Sequence, residues 1–175
     1  MLSAAAWAIN FAESNGTVPA TAPATFQAGV YFGYSGKDER ALIEECFAPD
    51  QKIADDTNDF IAAIKTKDFG SIKDIVAGDE AIALKDADKC MTDPKYQVVH
   101  DAYYYQQDIV EKAMADPDWQ LHALKTLKPH LAEIKDLAGQ AVAAWDAADY
   151  YGAGTAIGKI DKIAFSYWAS NSFLQ

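Results

Sequence analysis

The chain of 175 residues and 19.0 kDa is half hydrophobic and 23% charged, which fits one globular domain burying roughly two-thirds of the surface its unfolded chain exposes. A net charge of −11, a pI near 4.5 and a single arginine, Arg40, exclude a nucleic-acid footprint, which needs a concentrated basic face, and repel anionic membranes and polyanions. With 12% aromatics the chain can support a core, so it is not intrinsically disordered.

In chain order, Met1–Ala12 lacks the basic start of a signal peptide, and no stretch is long enough for a membrane span. For a secreted chain, either a signal was removed ahead of residue 1 or residues 1–12 are its remnant. Ser14 to Thr25 reads as a linker, ordered only where the body or a neighbouring subunit holds it, and Asn15-Gly16-Thr17 is a glycosylation sequon for a glycan on Asn15. Prolines 19 and 23 and the cluster Gly29-Val-Tyr-Phe-Gly-Tyr34 complete an uncharged zone, predicted as an extended N-terminal arm over 1–35.

Residues 36–175 form the predicted helical domain. Pro49-Asp50 starts a helix with Ile53, Thr57, Phe60, Ile61 and Ile64 on one face; Asp68 caps a short helix that Gly78 ends; Asp79 opens another that runs to Cys90. Thr92-Asp93-Pro94 starts the next, with Tyr96, Val99, Tyr103, Val110 and Met114 inward, and Asp116-Pro117 stops it. From Asp118, Leu121, Leu124, Leu131, Ile134, Ala138, Ala141 and Trp145 keep a spacing of threes and fours as one inward stripe, kinked or restarted near Lys128 by Pro129. Asp149 opens the last helix, with Ile157, Ile160, Ala164 and Trp168 on one side. The fold class is all-α, a compact bundle of about six or seven helices with short connections.

Motifs that would carry chemistry fail on spacing. Gly152-Ala-Gly-Thr-Ala-Ile-Gly-Lys159 lacks the glycine spacing and preceding strand of a phosphate loop, and Gly154 and Gly158, one turn apart, read instead as a place where another backbone approaches closely. His100, His122 and His130 complete no metal-ligand set, and the acidic cluster Asp55–Asp59 lacks the glycine and glutamate of a calcium loop. No catalytic residue, metal or cofactor is expected. Cys46 and Cys90 are too far apart for a CxxC motif; they are either one disulfide, worth about 4 kcal/mol of loop-closure entropy, or two buried thiols of a cytosolic protein. Of Tyr103, Tyr104 and Tyr105, which point three ways around a helix, at least one is exposed.

Glu45-Cys46-Phe47, a helical stretch, Cys90, His130 before a long helix, and Trp145-Asp-Ala-Ala-Asp-Tyr-Tyr-Gly-Ala-Gly154 with Ile157-Gly158 resemble small cysteine-paired helical proteins of protists, ciliates among them. The group has no assigned activity. The resemblance spans residues 40–165 and implies a compact helical, extracytoplasmic domain without implying site residues.

The functional expectation is a non-enzymatic structural or interaction protein, secreted or in another oxidising compartment and stapled by Cys46–Cys90. It self-assembles into a ring or filament by docking its arm on a neighbouring copy. Trp7, Phe11, Phe26, Tyr31 and Phe32 are the arm contacts, and Tyr150 and Tyr151 their receptors. The alternative is a carrier enclosing a small apolar ligand against Trp119, Trp145 and Tyr103; an enzyme using His130 and a carboxylate ranks third.

Overall fold

The computed structural model describes residues 18–47, 49, 51, 54, 55 and 92–170. Among these residues it contains seven α-helices and no strand: α1 (Ala22–Ser35), α2 (Arg40–Cys46), α3 (Gln97–Ala115), α4 (Trp119–Leu127), α5 (Leu131–Asp146), α6 (Tyr150–Ala164) and α7 (Ser166–Ser170). The all-α architecture is as expected. The predicted helices bearing Phe60, Phe69 and Ile82 lie outside the described residues.

Residues 22–35 are not an extended arm but a 14-residue helix at the centre of the bundle. Pro23 sits in the first turn, where its missing N–H has no helical partner to lose. Gly36 ends the helix in the left-handed conformation, φ 75°, returning its N–H to the Phe32 carbonyl at 2.8 Å. The helix lacks a charged face because it is covered on two sides, the usual condition of a helix that is apolar all round. Val30 joins Leu137, Ala138, Ala141, Ala156, Ile157 and Ile160 in one core. Ala28 and Tyr31 join Ile43, Cys46, Tyr96 and Val99 in the other.

Four glycines set how α1 meets α6. A Cβ on Gly29 would run into the Tyr151 carbonyl oxygen, one on Gly33 into that of Thr155, one on Gly154 into that of Phe26 and one on Gly158 into that of Val30. The close approach expected at Gly154 and Gly158 is therefore real, and Gly29 and Gly33 answer it from the other helix. Register rises on both helices together, Gly29 facing Tyr151 and Thr155 and Gly33 facing Thr155 and Lys159, so α1 and α6 run parallel. Each interior glycine costs about 0.5–1 kcal/mol relative to alanine, so the four together cost about 2–4 kcal/mol, which backbone-to-backbone contact must offset.

Helix α5 is joined to α6 by three residues and packs antiparallel to it, with Leu137, Ala138 and Ala141 against Ile157 and Ile160. Its C-terminus is a Schellman motif: Asp149 N–H reaches the Ala144 carbonyl at 2.8 Å and Ala148 N–H the Trp145 carbonyl at 2.9 Å. Ala148 takes the left-handed position, φ 57°. Asp149 then caps α6, its side chain accepting from Gly152 N at 2.9 Å, as the sequence predicts. Two further start signals hold, while those at Asp50, Asp68 and Asp79 lie outside the described residues. Asp93 accepts from Lys95 N at 2.9 Å, with Pro94 opening a 3-10 turn into α3, and a 3-10 turn at Lys128–His130 restarts the chain as α5.

The inward stripe is corrected in its first half. Ile134 is half-buried and Ala138, Ala141 and Trp145 are buried, but Leu121, Leu124 and Leu131 are 48%, 61% and 61% exposed. The 3-10 turn at Pro129 has 3.0 residues per turn rather than 3.6, so Leu121 and Leu124 before it fall out of register with Ile134, Ala138 and Ala141 after it, while Leu131, in the first turn of α5, lies outside the core those residues join. Tyr104 supplies the exposed member of the tyrosine triplet.

The seam predicts that Gly158→Ala lowers unfolding free energy by about 1–3 kcal/mol or more, because the intruding methyl meets rigid backbone. Gly139→Ala, in α5 with open space around it, raises stability by about 0.5–1 kcal/mol. Urea denaturation of the two variants checks both signs.

Candidate functional site

Asp116, the stop residue of α3, fastens three helices with one carboxylate. Its Oδ1 accepts from Asp118 N at 2.9 Å, and its Oδ2 accepts the Trp168 indole N–H at 3.0 Å and lies 2.6 Å from His122 Nδ1. The His122 ring stacks on Tyr167, centroids 4.2 Å apart and planes 18° from parallel. The hydrogen bond from His122 holds the Asp116 carboxyl below its usual range, against the opposing effect of desolvation and with help from Asp118 N–H and Trp168. The ends of α3, α4 and α7 are thereby tied together. His130 and Glu133 pair at 3.0 Å on an exposed surface, and His100 and Asp101 at 3.1 Å. Among the described residues no group of three His, Cys, Asp or Glu side chains is placed to hold a metal.

Beside this latch lies an open apolar face. Helix α4 has no buried residue, and Trp119, Leu121 and Leu124 are about half or more exposed, with the exposed Leu131 just past the 3-10 turn and Tyr167 of α7 stacked on His122. Leu121 and Leu124 are three apart and share a side of the helix. Between residues 119 and 132 the sequence has Lys125, Lys128, His122 and His130 and no carboxylate, an apolar and locally basic stretch in a chain of net charge −11.

Around Arg40 a second cluster ties α2 to both seam helices. Its guanidinium lies 4.9 Å from the Tyr151 ring centroid and its Nε donates to Glu44 Oε1 at 2.9 Å, where Thr25 Oγ1 also donates at 2.7 Å. Burial works to raise the Glu44 pKa, but the hydrogen bonds from Thr25 and Arg40 outweigh it and hold the carboxyl low. Tyr151 Oη donates to Asp38 Oδ1 at 3.3 Å. A depression of 330 Å³ here is lined by Asp38, Glu39, Arg40, Ala41, Leu42 and Glu44, a charged rim unlike a seat for an apolar ligand.

The predicted contact residues fall into two groups. Trp7, Phe11, Asn15 and Cys90 lie outside the described residues. Phe26, Tyr31, Phe32, Tyr150 and Tyr151 are brought together, but within one chain. Phe32 stacks on Tyr151 with centroids 5.9 Å apart, Trp145 meets Phe26 at 5.7 Å and Tyr150 at 5.1 Å, and Tyr31 is buried. The pairing of arm and receptor aromatics is thus an internal one, made by α1 on its own α6 rather than on a neighbour. Of the carrier residues, Trp145 is packed in the core and Trp119 is exposed at 51%, and the side chain of Tyr103 lies outside what the structure describes. Cys46 is buried against Ile43 and Tyr96 and is not a free thiol. The exposure of Leu121 and Leu124 was hidden by their helical spacing; Pro129 and the missing carboxylates were the signals that set them apart.

No protein-family model, curated protein or solved structure matches the chain.

A carboxylate held low contributes stability above its unfolded pKa and loses it as pH falls through the lower folded value. Asp116→Asn is therefore less stable than the wild type at pH 7, and the gap between their urea midpoints closes as pH falls below about 4. Tryptophan fluorescence across that range measures it.

Proposed function

We propose that this chain is a non-enzymatic, self-assembling structural subunit of an extracellular or other oxidising compartment. The observation that carries the reading is the exposure, among the described residues, of Trp119, Leu121, Leu124 and Leu131 about the α4–α5 corner: large apolar side chains outside a core mark a protein contact surface. The titratable groups described above support it indirectly, since their partners fasten helices to each other. Of the arm, residues 1–17 remain to reach a neighbour, with Trp7 and Phe11 as contacts, because α1 is committed to its own chain.

The compartment rests on Cys46. A buried half-cystine in a chain with two cysteines pairs with Cys90, and such a bond persists outside the reducing cytosol. A glycan on Asn15 belongs to the same reading.

The test is the native mass. Light scattering behind size exclusion, with negative-stain microscopy of the unconcentrated protein, gives multiples of the 19.0 kDa chain as rings or filaments, and thiol titration finds no free thiol until the protein is reduced. A monomer at every concentration refutes self-assembly.

A further inference from the structure

We infer that the exposed leucines at the α4–α5 corner, Leu121, Leu124 and Leu131, seat residues 1–12 of a neighbouring copy, so that assembly is head to tail; this rests on the self-assembly reading and adds its polarity. Three observations narrow the occupant.

The first is charge. Two such corners laid against each other would bring four lysines together, from Lys125 and Lys128 of each copy, with no carboxylate between residues 119 and 132 to neutralise them. The corner is therefore a poor partner for itself. An anionic membrane fits its lysines but meets a chain that carries −13 outside this stretch, taking the net −11 less the +2 of the two lysines.

The second is composition. Met1 to Ala12 has no charged side chain and offers Leu2, Trp7, Ile9 and Phe11, the residue types that anchor an apolar contact. Docking it beside Lys125 and Lys128 buries no opposing charge.

The third is placement. Because α1 and α6 run parallel, the chain enters α1 at the end of the bundle where α6 begins, close to Tyr150. Helix α5 runs antiparallel to α6, so Leu131 at its start lies toward the other end; the Trp168 bond to Asp116 puts the start of α4 there too. Segment and seat leave opposite ends of a body about 22 Å along α6. A contact between two different surfaces at opposite ends is heterologous, and it propagates as a filament or closes as a ring.

The experiment uses two full-length variants. Trp7→Asp/Phe11→Asp spoils the segment and leaves the seat; Leu124→Glu/Leu131→Glu spoils the seat at exposed positions and leaves the segment. Circular dichroism checks that both remain helical. Each variant alone is expected to be monomeric by light scattering, and an equimolar mixture to double in mass to a dimer, one intact segment meeting one intact seat. Assembly of the Leu124→Glu/Leu131→Glu variant alone, or a mixture that stays monomeric, overturns the inference while the wild-type assembly leaves the self-assembly reading standing. Wild-type binding to phosphatidylserine vesicles that Leu124→Glu/Leu131→Glu abolishes, without a heterodimer, also overturns it in favour of a membrane surface. A monomeric wild type that releases no mass change on mixing removes both readings together.

Discussion

Contact of two backbones at Gly29, Gly33, Gly154 and Gly158 is the constraint from which the rest of the fold follows. With no side chain between α1 and α6, the bulky residues of both helices are displaced to the two flanks. On one flank Val30, Ile157 and Ile160 receive α5; on the other Ala28 and Tyr31 receive α2 and the start of α3. Two small cores thus share one central pair of helices. Parallel helices cannot be joined by a short hairpin, and here the chain between Gly36 and Asp149 makes the return, adding α5 antiparallel as its last step.

Polar groups secure the edges of this arrangement. Arg40 holds Glu44 and covers Tyr151, so α2 is fixed to α6, while Thr25 joins α1 to the same carboxylate. At the far end Asp116 gathers α3, α4 and α7. These groups are partly exposed, so their individual contributions are modest and what they chiefly add is orientation. Helix α4 is the element held least by burial and most by such a tether, and that leaves its apolar side chains outward.

Signals that act within one turn of chain were legible in the sequence. Asp93-Pro94, Asp116-Pro117, Pro129 and Asp149 each mark the boundary found, since caps and proline act on their own neighbours. Gly154 and Gly158 announced a close approach without saying by what. The answering pair, Gly29 and Gly33, has the same spacing but lies in an uncharged, proline-flanked stretch without an amphipathic pattern, so α1 reads as an arm. Its helix is specified by a partner more than a hundred residues away, and pattern reasoning over a local window has no access to that. The same limit applies to the candidate site: Leu121, Leu124 and Leu131 carry the spacing of a core stripe, but the turn at Pro129 separates the first two from α5, and Leu131, at the start of α5, lies outside its core.

Native-state hydrogen exchange on the intact chain tests the central place of α1 most directly. The account predicts that amides from Phe26 to Tyr34 exchange only through global unfolding, as slowly as those around Ile157 to Asp161 in α6. Exchange of α1 as fast as that of the exposed α4, with α6 still protected, would show that the bundle does not depend on the glycine seam.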